Sequence, residues 1–420
     1  ILTMDGHGEE NSTVMWHAKD NKIAKLHEIN IPNSLGWFYA AFTKFVGFRI
    51  YDGEGKTMGL APYGKPNKKF REAVCDMLKL TEDGYDIDQS YLFYGKRTIT
   101  GEFSDKFAET FGEYRKDDKA EIKDNHRDAA YEAQRRLEEA GLHLAELLVR
   151  KTGCKNLCLA GGVALNCKMN GAIQRSQLVD NIFIQPMSGD EGTALGAALA
   201  VYFENGLDMN GFTMNHVYFG TEYSDTEVEA ELKAAGLKYE KSTNTEEETA
   251  KLIAGGKIVG WFQGRMEVGP RALGNRSILC DPRDPVMKDT VNNKVKFREP
   301  WRPFCPSMLY EDINEYLVKP CFHPFMILTF IIKEEVRKKI PSVVHVDGTA
   351  RPQTVRKEDN PRYWKLISEF KKLTGVPVLL NTSFNIRGEP IVCSPKDAIN
   401  CFLKTGIEVL ILNDFIVEKD

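Results

Sequence analysis

Three features that would each have indicated a particular class of protein are missing from this sequence. No apolar run reaches the roughly 18 to 20 residues that cross a bilayer, so no membrane partner is predicted. The formal net charge of the 420 residues is only −4, so no global basic field points to nucleic acid. The nine cysteines include no C-x-x-C pair, which disfavours a disulfide framework or a zinc knuckle and favours reduced thiols in a cytoplasmic protein.

Familiar nucleotide-binding signatures are also missing. There is neither a Walker A motif nor a G-x-G-x-x-G stretch after a strand, and no internal repeat. The chain opens without Met on the apolar stretch "ILTMDGHGEE", which looks like the middle of a sheet. We therefore expect a fragment, or a chain that has lost an upstream piece.

Hydrophobic periodicity predicts an α/β protein with two domains. The expected domains are residues 1–222 and 223–420. The segment 67–125 is polar and reads as an irregular insertion, whose tyrosines Tyr85 and Tyr91, with Phe93 and Tyr94, either stack on a sugar or form core. The predicted elements are strands over 1–5, Asn156–Ala160, Asn181–Gln185, 257–264 and 325–332, a hairpin over 12–30, and helices over 34–50 and Asp128–Lys151.

Glycine-rich and acidic turns are the candidate ligand sites of the first half. Asp5 ends a strand beside glycines, a position where a carboxylate holds a metal or simply completes a turn. Gly161 and Gly162 join a strand to a helix and suit either close approach of a phosphate or a tight turn. Asp190 precedes another helix, whose small residues suit close packing on a sheet or a nucleotide, and the simpler role of Asp190 is that of an N-cap.

Arginines on stiff backbone dominate the second half. The stretch "GRMEVGPRALGNRSI" carries Arg265, Arg271 and Arg276, separated by glycines and a proline. Lys296, Arg298 and Arg302 follow in "KFREPWRPF", with Arg351 and Arg387 further on. So many cations with few neighbouring acids are costly unless an anion binds, although some of them can be ordinary surface arginines. For Arg265 and Arg276 there is an alternative to ligand binding, because each can instead pair with Glu267 or Asp281.

Taken together, these motifs resemble those of the NodU/CmcH-type O-carbamoyltransferases. The resemblance covers the chain outside 67–125 and rests on stretches in a fixed order: "DGHGE", "KTMGLAPYGKP", "LAGGVALNCKMNG", "GDEGTALGAA", "GRMEVGPRALGNRSIL", "REPWRPF", "HVDGTARPQTV" and "LLNTSFNIRGEPIV". It implies a partial actin-like (ASKHA) ATPase-type domain followed by a YrdC-like α/β domain.

The resemblance also implies a two-step reaction. Carbamoyl phosphate and ATP form carbamoyl adenylate in the YrdC-like domain, and the actin-like domain transfers the carbamoyl group to a hydroxyl of a sugar, aminoglycoside or other natural product. A divalent metal is expected in the transfer site, Fe(II) first, with Mn(II) and Mg(II) as alternatives. A homodimer is a candidate assembly.

Residue roles follow from the same resemblance. The Lys296–Arg298 and Ser383–Asn385 pairs match the family's nucleotide- and phosphate-binding pattern, with Arg271 and Arg302 as further phosphate clamps. Asp5 and Asp190 match two metal ligands, whereas the family's histidine motif has no counterpart here. The remaining candidate cofactor-binding residues are Lys56, Gly161, Gly162, Asn166, Arg351 and Asn381.

Two other functions share parts of this pattern. A tRNA threonylcarbamoyladenosine-type transferase has similar lobes, but the low basic charge disfavours it. An actin-like small-molecule kinase would release ADP, whereas adenylate formation releases pyrophosphate.

Overall fold

A computed structural model describes residues 1–20, 22–95, 98–207 and 211–419, with the backbone alone for 93–95 and 98–102. The chain divides into two compact units, Ile1–Asp208 and Met209–Asp420. The boundary predicted after residue 222 falls inside the second unit, because residues 217–221 hydrogen bond to the arginine stretch. Gly220 N–H donates to the Met266 carbonyl and Val268 N–H to the Val217 carbonyl. The functional labels of the two domains stay predictions.

A five-stranded mixed sheet forms the base of the first unit, in the order β3-β2-β1-β8-β9. Strands β1 to β3 are antiparallel neighbours, whereas β1, β8 and β9 run parallel. The predicted strands and hairpin of this sheet are confirmed. The strands of the unit are β1 (Leu2–Gly8), β2 (Asn11–Lys19), β3 (Lys22–Asn30), β4 (Leu78–Leu80), β5 (Tyr85–Ile87), β6 (Leu92–Gly95), β7 (Thr98–Phe103), β8 (Asn156–Ala160) and β9 (Asn181–Ile184).

Helices of the first unit follow the apolar spacing of the sequence. The longest, α5, buries an Ala/Leu stripe that includes Ala133 and Leu144, and it ends at Gly153, whose φ of 68° closes the last turn. The prediction for 128–151 is confirmed, with an earlier start. The helices are α1 (Leu35–Phe45), α2 (Glu54–Leu60), α3 (Lys68–Met77), α4 (Asp105–Phe111), α5 (Asp124–Thr152), α6 (Cys167–Arg175) and α7 (Thr193–Glu204).

The described residues of the segment 67–125 form short helices and strands, so its prediction as irregular was wrong. Its short helices and hairpins pack through aromatic rings. The ring centres of Phe107 and Phe111 lie 4.8 and 5.1 Å from the ring centre of Phe42 in α1. The elements are too short to show periodicity among so many charges. Helix α1, predicted to reach residue 50, ends at Phe45 because Gly47 turns the chain with a φ of 80°.

Two tyrosines of this segment belong to the core. Tyr85 is 2% exposed and Tyr91 is 7% exposed, and the Tyr85 hydroxyl lies 2.9 Å from Thr13 Oγ1. The core alternative therefore holds for both. The side chains of Phe93 and Tyr94 lie outside the described residues.

An eight-stranded sheet carries the second unit, in the order β10-β19-β18-β11-β12-β17-β13-β16. Strands β11 and β18 are buried along their whole length, as expected for apolar runs covered on both faces. The predicted strand over 325–332 was largely wrong, since only β14 is extended there. The strands are β10 (Glu240–Lys241), β11 (Val259–Phe262), β12 (Arg276–Cys280), β13 (Cys305–Leu309), β14 (Phe330–Ile331), β15 (Thr349–Ala350), β16 (Gln353–Val355), β17 (Val378–Ser383), β18 (Val409–Leu412) and β19 (Phe415–Glu418).

Local capping signals define the main helices of the second unit. Helix α13 begins after Asn360, whose side chain accepts from Tyr363 N–H, and ends at Gly375 with a φ of 74°. Ser394 and Asp397 form a capping box at α14. The helices are α8 (Asp225–Ala234), α9 (Thr245–Ala254), α10 (Met287–Val291), α11 (Ile313–Tyr316), α12 (Glu334–Arg337), α13 (Pro361–Thr374) and α14 (Pro395–Lys404).

Candidate active site

Lys296 reaches the end of strand β17 from an irregular helical turn. Residues Asn292–Lys296 form a π-helical turn, and Phe297 follows in the left-handed region with a φ of 45°. Such turns interrupt regular helix hydrogen bonding and recur at functional sites. The Lys296 side chain is buried, whereas Phe297 is half exposed.

The Lys296 ammonium contacts four oxygens of the segment that leaves β17. Nζ donates to Asn385 Oδ1 at 2.7 Å, to the Asn385 carbonyl at 3.0 Å and to Ser383 Oγ at 3.2 Å, and it also contacts the Ser383 carbonyl. Burial, followed by the charge of Arg298, lowers the pKa of Lys296 well below its ordinary value. Because its three N–H groups already serve these four acceptors, Lys296 is suited to act on a ligand through its positive charge and by positioning Ser383 and Asn385.

Arg298 lies close enough to Lys296 for its charge to lower the pKa of that lysine. Arg298 Nε donates to Asn292 Oδ1 at 2.6 Å, and the guanidinium stacks on Phe304 at 4.5 Å. Burial, followed by the charge of Arg302, lowers the pKa of Arg298 to about 9. Neighbouring cations that destabilise one another in this way are stabilised by a bound anion.

Arg351 completes this group from the chain between β15 and β16. Its Nε and Nη2 donate to Cys305 Sγ at 3.2 and 3.0 Å, at the start of β13, and its charge also lowers the pKa of Arg298. We call Lys296, Arg298, Arg302 and Arg351 the cation cluster. The structure brings these four sequence-predicted cations together, beside Ser383 and Asn385.

Arg271 lies on a rigid loop between β11 and β12. Glu267 Oε1 accepts from the backbone N–H groups of Leu273, Asn275 and Arg276 at 2.7, 2.8 and 3.2 Å. Gly274 has a φ of 101°, and a Cβ there would lie 2.2 Å from the Tyr363 ring. The loop is therefore held by its own carboxylate, and Arg271 is half-buried on it.

Asn381 connects this loop to β17. Its Nδ2 donates to the Ala272 carbonyl at 3.2 Å and to Ser307 Oγ at 2.9 Å. The side chain is only 1% exposed, and Oδ1 has no hydrogen-bond partner among the described residues. Asn381 thus positions the residue next to Arg271, and direct contact with a ligand stays a prediction.

The other two arginines of the loop have backbone partners. Arg276 is fully buried, stacks on Phe262 at 3.5 Å and donates to backbone carbonyls that include those of Gln263 and Thr221. Arg265 donates to two carbonyls of residues 219–220. Both arginines hold the loop through carbonyl oxygens, and Asp281 pairs with Arg283 instead, at 2.6 Å.

Asp5 in the first unit bridges two glycine turns. Its Oδ1 accepts from Gly6 N–H at 2.6 Å and its Oδ2 from Gly162 N–H at 2.8 Å. Gly161 has a φ of 87°, and a Cβ there would lie 2.1 Å from the Met4 carbonyl oxygen. The glycine pair thus serves close packing against β1, and its role in nucleotide binding stays a prediction.

Asp190 lies close enough to Asp5 for its carboxylate to raise the pKa of Asp5. Burial, opposed by the two N–H groups and reinforced by Asp190, raises the pKa of Asp5. Asp190 opens a short 3₁₀ turn before α7 and makes no capping hydrogen bond there, so the N-cap alternative does not hold. Two carboxylates of this kind fit a divalent cation as two of its oxygen ligands. Within the described residues, no group of three or more His, Cys, Asp or Glu side chains is arranged to hold a metal.

Lys56 and Asn166 are placed by local contacts in the first unit. Lys56 Nζ lies 4.0 Å from Asp52 Oδ2 and 5.6 Å from the Phe48 ring centre. Asn166 caps α6 by accepting from Met169 N–H, and its amide pairs twice with that of Gln134 at 3.0 Å. Ligand contact by either residue stays a prediction.

Comparison with known proteins identifies the family. The family model "Carbamoyltransferase N-terminus" matches residues 1–199, and "Carbamoyltransferase C-terminus" matches residues 250–419. This chain belongs to the carbamoyltransferase family. It is 40% identical to an uncharacterised protein of Synechocystis, and the alignment covers all of this chain and 72% of that protein. It is 39% identical to nodulation protein NolO of Bradyrhizobium diazoefficiens, and that alignment covers all of this chain and 75% of NolO.

The resemblance read from the motifs is thereby confirmed, and the chain is a carbamoyltransferase. Nodulation protein U of Rhizobium fredii is also similar, at 37% identity over 56% of this chain and 39% of that protein. A crystal structure of full-length HypF in its phosphate- and nucleotide-bound form aligns with 44% of this chain and 23% of its own, at 18% identity and a TM-score of 0.31. A likeness of that size supports no inference.

Sequence reasoning about this carbamoyltransferase did not single out one acid in the cation cluster. Glu299 Oε2 lies 3.8 Å from Arg302 Nη1, and its Oε1 lies 4.0 Å from Arg387 Nη2. Its position between two arginines of the "REPWRPF" stretch was the available signal.

No described helix is both long and apolar enough to span a membrane.

Proposed function

We propose that this carbamoyltransferase is ATP-dependent and acts on a hydroxyl group. In the first step, carbamoyl phosphate, ATP and one water give carbamoyl adenylate, pyrophosphate and phosphate. In the second step the carbamoyl group passes to a hydroxyl of a small molecule such as a sugar, an aminoglycoside or another natural product, and AMP leaves.

The observation that carries this proposal is the cation cluster at the end of β17. Four buried or half-buried cations lie together with the acid Glu299, and burial followed by the neighbouring cations lowers the pKa values of Lys296 and Arg298. Carbamoyl phosphate and the triphosphate of ATP are polyanions that repel each other, and fixed cations cancel that repulsion without reorganisation. Ser383 and Asn385 add hydrogen-bonding groups at the same place.

Each unit has a role in this proposal. The second unit is the YrdC-like, adenylate-forming domain, with Lys296, Arg298, Arg302 and Arg271 at the phosphates and Arg351, Asn381, Ser383 and Asn385 at the nucleotide. The first unit is the actin-like transfer domain, in which Lys56, Gly161, Gly162 and Asn166 face nucleotide. Its mixed sheet and glycine turns support that assignment.

Asp5 and Asp190 are the proposed oxygen ligands of a divalent metal, Fe(II) before Mn(II) or Mg(II). Such a metal supplies Lewis-acid polarisation of a carbonyl or phosphoryl oxygen. The raised pKa of Asp5 beside a second carboxylate supports a cation there. A homodimer is proposed with the family resemblance, and a cytoplasmic location is proposed from the cysteine pattern.

Product analysis tests the proposal. Incubation of the chain with ATP and carbamoyl phosphate should release pyrophosphate, and AMP should follow when a hydroxyl acceptor is added. Release of ADP would favour the small-molecule kinase, and salt-sensitive retardation of tRNA in a gel would favour the tRNA-modifying alternative. Pyrophosphate release that does not depend on carbamoyl phosphate would contradict the proposal.

A further inference from the structure

We propose that Glu299 accepts a hydrogen bond from the carbamoyl amide and thereby distinguishes carbamoyl phosphate from acyl phosphates such as acetyl phosphate. This inference rests on the proposed function of the second unit. It assigns to Glu299 the role of a specificity-determining residue.

The chemistry of the substrate requires an acceptor. Carbamoyl phosphate and acetyl phosphate have nearly the same size and charge, and they differ by an NH2 group in place of a methyl group. The ammonium and guanidinium groups of the cation cluster only donate hydrogen bonds. They suit the phosphate and carbonyl oxygens, which both substrates share, but they cannot recognise the amide N–H.

Glu299 is an acceptor placed among these donors. Its side chain is 14% exposed, and both carboxylate oxygens are buried without a hydrogen-bond partner among the described residues. Arg302 and Arg387 lie 3.8 and 4.0 Å away, which is ion-pair contact beyond hydrogen-bond distance. Buried acceptors without donors are costly, so a ligand N–H at this carboxylate would be stabilising.

Other acceptors near the cluster are already engaged or lie deeper. Asn385 Oδ1 accepts from Lys296 and from Ser383 Oγ, and Cys305 Sγ accepts from Arg351. Asn381 Oδ1 has no hydrogen-bond partner in the described ranges, but its side chain is only 1% exposed within β17, between β12 and β13. Glu299 is therefore the acceptor best placed to meet a ligand.

A pair of stable probes isolates the amide. Carbamoylmethylphosphonate (phosphonoacetamide) and acetonylphosphonate differ only by NH2 in place of CH3, and neither hydrolyses. Calorimetric titration of the whole chain should give a dissociation constant about tenfold lower for the amide probe, since one hydrogen bond to a charged group is at stake. Equal affinity of the wild-type chain for both probes would overturn the inference, without requiring any variant.

Variants then assign the preference to Glu299. Glu299→Met removes the acceptor at similar length and should bind both probes equally, whereas Glu299→Gln retains an acceptor oxygen and should keep most of the preference. Glu358→Met is the matched control, because Glu358 is 66% exposed and also pairs with an arginine. A preference that survives in Glu299→Met, or one that disappears in Glu358→Met, would refute the assignment; Glu299→Ala replaces the Met variant if the latter does not fold.

Failure of this inference is distinguishable from failure of the proposed function. If pyrophosphate release depends on carbamoyl phosphate while the two probes bind equally, only the role of Glu299 is wrong. If neither probe binds and no pyrophosphate is released, the proposed function fails, and the inference fails with it.

Discussion

Replacing Lys296 with methionine tests whether one ammonium both charges the site and holds it together. Methionine has a similar length but no N–H groups, so the four oxygens around Nζ would lose this donor. Asn385 Oδ1 would keep the Ser383 hydroxyl and the Ser383 carbonyl would keep the Asn385 N–H, whereas the Asn385 carbonyl depends on Nζ. Two of the four oxygens are backbone carbonyls on the segment that leaves β17. The substitution thus removes the link between the π-helical turn at 292–296 and that segment.

The expected cost follows from these contacts. Hydrogen bonds to a charged group contribute about 1.5 to 3 kcal/mol each, and leaving a buried acceptor without a donor costs about 1 to 3 kcal/mol. Relief of the buried charge offsets part of this loss, since burial and Arg298 disfavour the ammonium. We expect the free energy of unfolding of the second unit to fall by about 3 kcal/mol.

Urea unfolding followed by tryptophan fluorescence measures this change, because three of the five tryptophans, Trp261, Trp301 and Trp364, belong to the second unit. Lys404→Met is the control: Lys404 is 63% exposed and 4.0 Å from Glu389, and such surface pairs are worth about 0 to 1 kcal/mol. If Lys296→Met is as stable as this control, the proposed structural role of the ammonium is wrong.

Three further predictions follow from single residues. Arg271→Ala should abolish pyrophosphate release and leave the urea midpoint unchanged, because Glu267 holds the loop without it; unchanged release would show that another arginine binds the phosphate. Added Mn²⁺ should raise the melting temperature of the wild-type chain but not that of Asp5→Asn, and an equal rise in both would contradict metal binding at Asp5. His323 is buried, and burial lowers its pKa to about 3. As the pH falls below about 6.5 the unfolded chain therefore binds a proton that the folded chain does not, and the free energy of unfolding decreases down to about pH 3, by at most about 1.4 kcal/mol per pH unit. His323→Gln keeps an acceptor for Ile327 N–H and should flatten this pH dependence of urea unfolding, whereas an unchanged slope would assign it to other groups.

The sequence predicted the contents of the candidate site better than its geometry. The family resemblance was enough to group Ser383 and Asn385 with Lys296 and Arg298. The π-helical turn that delivers Lys296 has no signature in local periodicity, because its shape depends on contacts with the end of β17. The carbonyl partners of Arg276 were equally hidden, since they lie on backbone that any residue could supply.

The fold was predictable where elements are long. The periodicity of α5 indicated its position, and the apolar run over 257–264 indicated β11. Strand β14 has only two residues, so the long apolar stretch over 325–332 suggested more extended structure than exists. There, buried side chains pack along an irregular backbone, a distinction that hydrophobicity alone does not make.

The internal carboxylate of the Arg271 loop has a kinetic consequence. A loop that Glu267 already fastens through three N–H groups does not need to become ordered when an anion arrives. Little conformational entropy is then lost on binding, and encounter can proceed without a closure step. Association at Arg271 should therefore be limited by diffusion and long-range attraction, and its rate should fall with ionic strength.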